Sequence, residues 1–269
     1  MKFIQESIKT ILLVLIFLEC GPLLWSAVKT DYKSYFTPHS KVGLLSFENP
    51  ITRSIPFTNT LSKLFKDTSI KAILLKINCA DTGPLGSSQE IAHTITTLKK
   101  EYPKPIITFA ENFCFGNSYL IASTTDAIIA TPGTLIGNIS NTSNNLFNVY
   151  DQTDASQDNV LFAHQKESLA AATEDGYQQV ITTIASARNL PLNQLTLWAQ
   201  GAVFTGKQAV EKKMIDATGS LNDALILLKT LAPLEEEIIW VENTDSGFIA
   251  LMTQHFFPQE DLNKPVLFE

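Results

Sequence analysis

The feature that most constrains this chain is the apolar run Ala72–Ile77, which leaves almost no polar face. Such a segment suits a strand covered on both sides, the usual state of strands in a parallel sheet. Parallel neighbours need crossover connections of about a dozen residues or more, commonly helical. The flanking sequence supplies them. Lys41–Phe47 reads as the preceding strand, and Thr58–Asp67 carries apolar residues at helical spacing between the two. Ser87–Lys100 predicts the next helix: Ser87 or Ser88 stands where a cap belongs, Ile91, Ile95 and Leu98 share a face, and Lys99 and Lys100 meet the C-terminal dipole. Pro103 and Pro105 punctuate the exit, Ile106–Ala110 predicts a strand, Ser118–Ser123 a helix, Ala127–Ala130 another strand, and Pro132-Gly133 a turn. Strand and helix alternate in this way to about residue 140, which predicts an α/β fold with a mostly parallel sheet.

Residues 138–160 interrupt the pattern with a crowd of Asn, Ser, Thr, Asp and Gln, and read as a loop. Helical periodicity returns over Ser168–Ala187, Leu192–Trp198 and Leu221–Leu228, and Ile238–Val241 predicts a closing strand. A tail containing FIALMTQHFF follows, and docking on the body or on a membrane surface are both open to it. At the other end, residues 10–28 form an apolar stretch behind Lys2 and Lys9, nearly the ~20 residues a bilayer span needs. Glu19 and Pro22 weaken such a span, and a cleaved signal segment with its apolar part at 11–18 is the alternative. The expected organisation is therefore an anchor or signal segment at 1–28, a connector at 29–40, an α/β domain at 41–235, and a C-terminal strand and tail at 236–269.

Composition excludes some functions. A net charge of −7 does not suit a nucleic-acid partner, which calls for a basic face. Cys20, Cys79 and Cys114 are odd in number and far apart, so neither a disulfide framework nor a zinc site follows, and Cys79 and Cys114 read as small buried hydrophobes. No metal or other cofactor is expected.

Three elements in order carry a resemblance: AILLKIN with GSSQEIAHTITTLKK, then KPIITFAENFCFGNSYLIAS, then TPGTLIGNIS; a later block, GAVFTGKQAVEKKMIDATGSLNDAL at 201–225, extends it. Together they resemble the signal peptide peptidase A (protease IV) family over most of residues 40–230. The resemblance implies a crotonase/ClpP-like superhelix of βα units and a serine peptidase that uses a serine nucleophile, a lysine base and backbone N–H groups for the oxyanion. It also implies apolar or signal peptides as ligands, a bacterial inner-membrane location with a single anchor and a periplasmic body, and assembly into a homo-oligomer or with a serine-bearing homologue, because active sites in this family can combine serine and lysine from different subunits.

This chain departs from the family at its chemistry. Aligned on Tyr119, the family's Ser-Gly-Gly-Tyr reads Gly116-Asn117-Ser118-Tyr119, so the nucleophile position holds a glycine. The family's Ser-Pro-Gly-Gly element aligns with Cys79-Ala80-Asp81-Thr82, which sets a carboxylate beside a site where negative charge must develop. Gly83 restores a turn residue one position later. Lys166 is the counterpart of the family lysine, although a lysine serves as base only when burial or a neighbouring cation depresses its pKa. Ser118 is the alternative nucleophile, but two positions along a helix rotate it by about 200° from the aligned one, and a polar residue in the first helical turn is the reading its position favours. Cys114, between Phe113 and Phe115, reads as buried and inert, and His164 as a surface residue. Gly133, Gly137 and Gly206 read as turn residues, with Asp216 capping or pairing near the helix expected at Lys207–Lys213. The reading that results is a nucleophile-depleted relative that is silent or dependent on a partner, with hydrolysis through Ser118 and Lys166 as the alternative.

Overall fold

A computed structural model describes residues 39–80, 83–140, 160–235 and 237–242. The expected anchor at 10–28, Cys20, most of the 29–40 connector, the loop beyond residue 140, Asp81, Thr82 and the FIALMTQHFF tail lie outside them. Among the described residues no helix is long and apolar enough to cross a membrane.

The strands are β1 (His39–Phe47), β2 (Ile70–Cys79), β3 (Ile106–Phe115), β4 (Ala127–Ala130), β5 (Leu135–Gly137), β6 (Val203–Thr205), β7 (Ala217–Thr218) and β8 (Glu237–Glu242). They are joined by α1 (Ser54–Lys66), α2 (Leu85–Glu101), α3 (Asn117–Ser123), α4 (Val160–Arg188), α5 (Gly206–Glu211) and α6 (Leu221–Leu231), with a 3-10 turn at Leu192–Leu197. The sheet runs β6-β5-β3-β2-β1-β8, with β4 and β7 branching from β3. Every pairing is parallel except β5 with β6. The mixed α/β, mostly parallel architecture is therefore the one the apolar runs predict.

Alternation along the strands divides the interior into two layers. Ile73, Leu75, Ile77 and Cys79 of β2 join Ile106 and Ala110 of β3 beneath residues of α1, α2, α3, α4 and α5. Ala72 and Leu74 turn the other way, meeting Ile107, Phe109, Ala127 and Ile129 beneath Ala224 and Leu228 of α6. β2 is apolar on both faces because both faces are covered.

Several boundaries differ from expectation, each for a local reason. α2 starts at Leu85 with Pro84 as its N-cap and no side-chain cap; Ser88 Oγ instead donates to Pro84 O (3.2 Å), and Ser87 Oγ to Thr52 O (3.0 Å). α4 begins at Val160, eight residues before the apolar periodicity at Ser168, and residues 164–167 of the added stretch are exposed, so no buried face marks it in the sequence. The Leu192–Trp198 helix is a 3-10 turn broken at Gln194 (φ −134°, ψ 48°). α1 begins four residues earlier than Thr58, and β3 continues five residues past Ala110.

Candidate functional site

The continuation of β3 builds the site. Through Ala110 the strand pairs with β4, and from Phe113 it pairs with β5 instead. Opposite β2, Ile77 faces Ala110 while Cys79 faces Cys114, so Asn78 alone spans the stretch that Glu111, Asn112 and Phe113 occupy on β3. This bulge re-aims the strand. It is pinned by a Lys76–Glu111 ion pair (3.0 Å) and by Thr134 Oγ1 donating to Glu111 O (2.6 Å).

β3 ends at Gly116, whose φ of 51° and ψ of −115° are essentially a glycine conformation, and α3 begins at the next residue. Strand, sharp turn and helix form an elbow of the kind that presents a nucleophile in unrelated hydrolases. Here the apex carries no side chain. Gly116 N–H donates to Gly137 O (2.8 Å), which ties the elbow to the end of β5. Beyond Gly137 the chain stays paired on one side only: Asn138 N–H donates to Ala202 O (2.7 Å) and Gly201 N–H to Ile139 O (2.8 Å). On the other side β3 has turned away into α3, and among the described residues no strand pairs with 138–140 there.

Behind the elbow α3 is fixed from its buried face. Tyr119 is fully buried and its hydroxyl donates to Met214 O (2.7 Å). Burial pushes its phenol far above the ordinary range, with nearby Arg188 opposing the shift. Arg188 pairs with Asp216 (3.0 Å), whose other oxygen accepts from Ile128 N–H (2.7 Å). Asp216 thus pairs with the end of α4 and with β4 and does not cap α5, which is capped by Thr205 and Gln208.

The expected site residues are only partly brought together. Gly116 is buried at the elbow, and Ser118, in the first turn of α3, is 4% exposed. Gly83 stands across from them: Asn117 Nδ2 donates to Gly83 O (2.9 Å), and Gly83 has φ +61° with Pro50 Cβ only 2.7 Å from where its own Cβ would lie. Asp81 and Thr82 fall outside the described residues. Lys166 and His164 are exposed in the first half of α4, so the described residues of this chain do not enclose them. Cys114 is buried and its thiol is pushed far up by burial and then by Cys79, leaving it a protonated core residue. Among the described residues no cluster of His, Cys, Asp or Glu could hold a metal. Three contacts escaped the sequence reading: the Asn117–Gly83 bridge and the Tyr119–Met214 and Arg188–Asp216 supports. The Asn-for-Gly exchange at 117 was visible, but its reach across 34 residues was not.

An α/β sheet whose parallel strand breaks into a tight elbow, beside a strand edge that no described strand covers, defines the scaffold. Comparison with known proteins places it further. The profile of Peptidase family S49 matches residues 148–235. The chain is 28% identical over 209 residues to "Putative signal peptide peptidase SppA" of Enterococcus faecium, covering 71% of this chain and 60% of that protein. To "Protease 4" of Salmonella typhi it is 25% identical over 185 residues, 63% of this chain and 30% of that one. To "Serine protease SPPA, chloroplastic" of Arabidopsis thaliana it is 27% identical over 158 residues, 52% and 23% respectively. The chain thus spans less than two thirds of the length of these relatives. The family match and these relatives support its assignment to peptidase family S49.

Proposed function

We propose that this chain is a nucleophile-depleted S49 homologue with a crotonase/ClpP-type fold, silent by itself or dependent on a serine-bearing partner, and that it engages apolar or signal-type peptides at the membrane. One observation carries the reading. Gly116 occupies the elbow where the family resemblance puts the serine, so the position from which attack would come has no atom to attack with. The side of residues 138–140 with which no described strand pairs suits an extended peptide, which would add main-chain hydrogen bonds beside the elbow. Exposure of Lys166 fits partner dependence: a catalytic base works in a site closed to water, and a subunit covering this face of α4 would provide that enclosure. That subunit is a second copy or a serine-bearing homologue. The anchor at 10–28 would hold the body on the periplasmic side of a bacterial inner membrane.

The test is acylation. Purified protein treated with a fluorophosphonate probe and a fluorogenic apolar peptide is expected to show neither labelling nor turnover, alone. Labelling at Ser118, with loss of turnover in Ser118→Ala and Lys166→Ala, would replace this reading by an active Ser118/Lys166 peptidase. If a serine-bearing homologue co-purifies, Lys166→Ala is expected to abolish that partner's turnover; unchanged turnover would leave the silent role.

A further inference from the structure

We propose that Cys79 and Cys114 form a disulfide when the chain folds in the presence of a disulfide oxidant, and that this bridge fixes the root of the elbow. The two cysteines are remote in the sequence, but the pairing of β2 with β3 sets them directly opposite each other. Neighbouring strands lie about 4.8 Å apart, inside the roughly 4.4–6.8 Å between Cα atoms that a disulfide spans. Both side chains enter the same layer of the core, and both are fully buried. They are thiols in this structure. Their place in the sheet gives the bond its effect. The bulge leaves no register partners between Ile77–Ala110 and Cys79–Cys114, so the cysteines are the last pairing of β2 with β3. Two residues beyond Cys114, β3 reaches Gly116 and turns into α3. A covalent link at that pairing holds the end of the strand that carries the elbow, where the ladder is interrupted. The inference does not depend on whether a peptide or a partner uses the elbow.

The bond forms by two exchanges. One cysteine thiolate attacks the oxidant disulfide, giving a mixed disulfide and releasing one oxidant thiol. The second cysteine then attacks the mixed disulfide, closing the Cys79–Cys114 bond and releasing the other. The two protein thiols lose two electrons and two protons, and the oxidant disulfide takes up both as it becomes two thiols. Burial sets the timing. It pushes the Cys114 thiol far up, with Cys79 adding to the shift, so little thiolate is present, and neither cysteine exposes surface to an oxidant. Closure therefore belongs to folding, before the core seals, and the native dithiol oxidises slowly.

The test uses the full chain carrying Cys20→Ser, so that only this pair can react. The protein is unfolded and reduced in urea, refolded with oxidised glutathione, digested without reduction and mapped by mass spectrometry. The expected product is a peptide pair joined through Cys79 and Cys114. Thiols or glutathione adducts at both positions in the refolded protein overturn the bridge. Native protein given the same oxidant is expected to close at least about tenfold more slowly, and equally fast closure overturns the coupling to folding. The hold on the elbow is read by amide hydrogen exchange of residues 109–120, in bridged protein and in the same protein refolded reduced. The bridge is expected to slow exchange there by about threefold or more while α6 is unchanged. Equal exchange, or an equal slowing throughout the sheet, overturns that role. Both samples share one sequence, so no substitution at a buried cysteine has to fold.

Discussion

Position 116 matters through its backbone. A side chain at φ 51°, ψ −115° sits in a sparsely populated region, and any residue with a Cβ is strained there by about 1–3 kcal/mol. Gly116→Ala is therefore expected to lower the urea midpoint with an unchanged slope, by an amount equal to about 1–3 kcal/mol. A stability equal to wild type would show that the elbow relaxes to an ordinary turn. Tyr119 makes the opposite case, where the side chain fixes the backbone. Tyr119→Phe removes the donor to Met214 O in a fully buried setting, and is expected to cost about 1–3 kcal/mol by leaving that carbonyl unpaired. Both positions were identifiable in the sequence as members of one motif. Their physical roles were not, because the partner atoms come from Gly137 and Met214, 21 and 95 residues away.

At the scale of elements, legibility followed burial. β2, α2 and β3 could be read because long apolar periodicities specify them, whereas β5, β6 and β7 are two or three residues each and carry no period. The same brevity hid the switch of β3 from β4 to β5, on which the elbow depends. Caps were misread at α2, where Pro84 set the start, and the capping boxes of α5 and α6 went unremarked. The second of these makes a pH prediction. Asp223 Oδ2 accepts from Ser220 N–H (2.7 Å) and Ser220 Oγ (2.8 Å), and these bonds hold its carboxyl below the ordinary value. The folded pKa is lowered, so the contribution is present above the unfolded value of about 3.9 and disappears as pH falls through the lower folded one. Stability measured between pH 5 and pH 2 is expected to fall less steeply in Asp223→Asn than in wild type. Ser220→Ala, which removes the cap itself, is expected to cost about 1 kcal/mol at neutral pH.

The two layers of the molecule are unequal, and that inequality governs how the whole opens. One face of the sheet is buried beneath five helices, α1 to α5, while among the described residues α6 is the only helix contributing to the other core. Ala224 and Leu228 are its fully buried residues, and Leu221, Ile226 and Leu231 are exposed. The elbow belongs to the thick layer: Tyr119, Leu120 and Ile121 are buried with Ile181 and Ile184 of α4, so loss of the thin layer leaves its packing in place. Local opening is set by how little buried apolar contact holds a unit down. α6 is accordingly expected to exchange its amides with solvent faster than α2 and the buried part of α4, and below the denaturant concentration of global unfolding. Leu228→Ala removes the centre of its contact and is expected to cost about 2–5 kcal/mol globally if α6 unfolds with the rest. If α6 opens as its own unit, the same substitution speeds exchange in α6 while that of α2 and α3 barely changes. Hydrogen exchange across the Leu228→Ala pair separates the cases. A uniform increase throughout the sheet would mean that the layers fold as one, and that the elbow's stability depends on both.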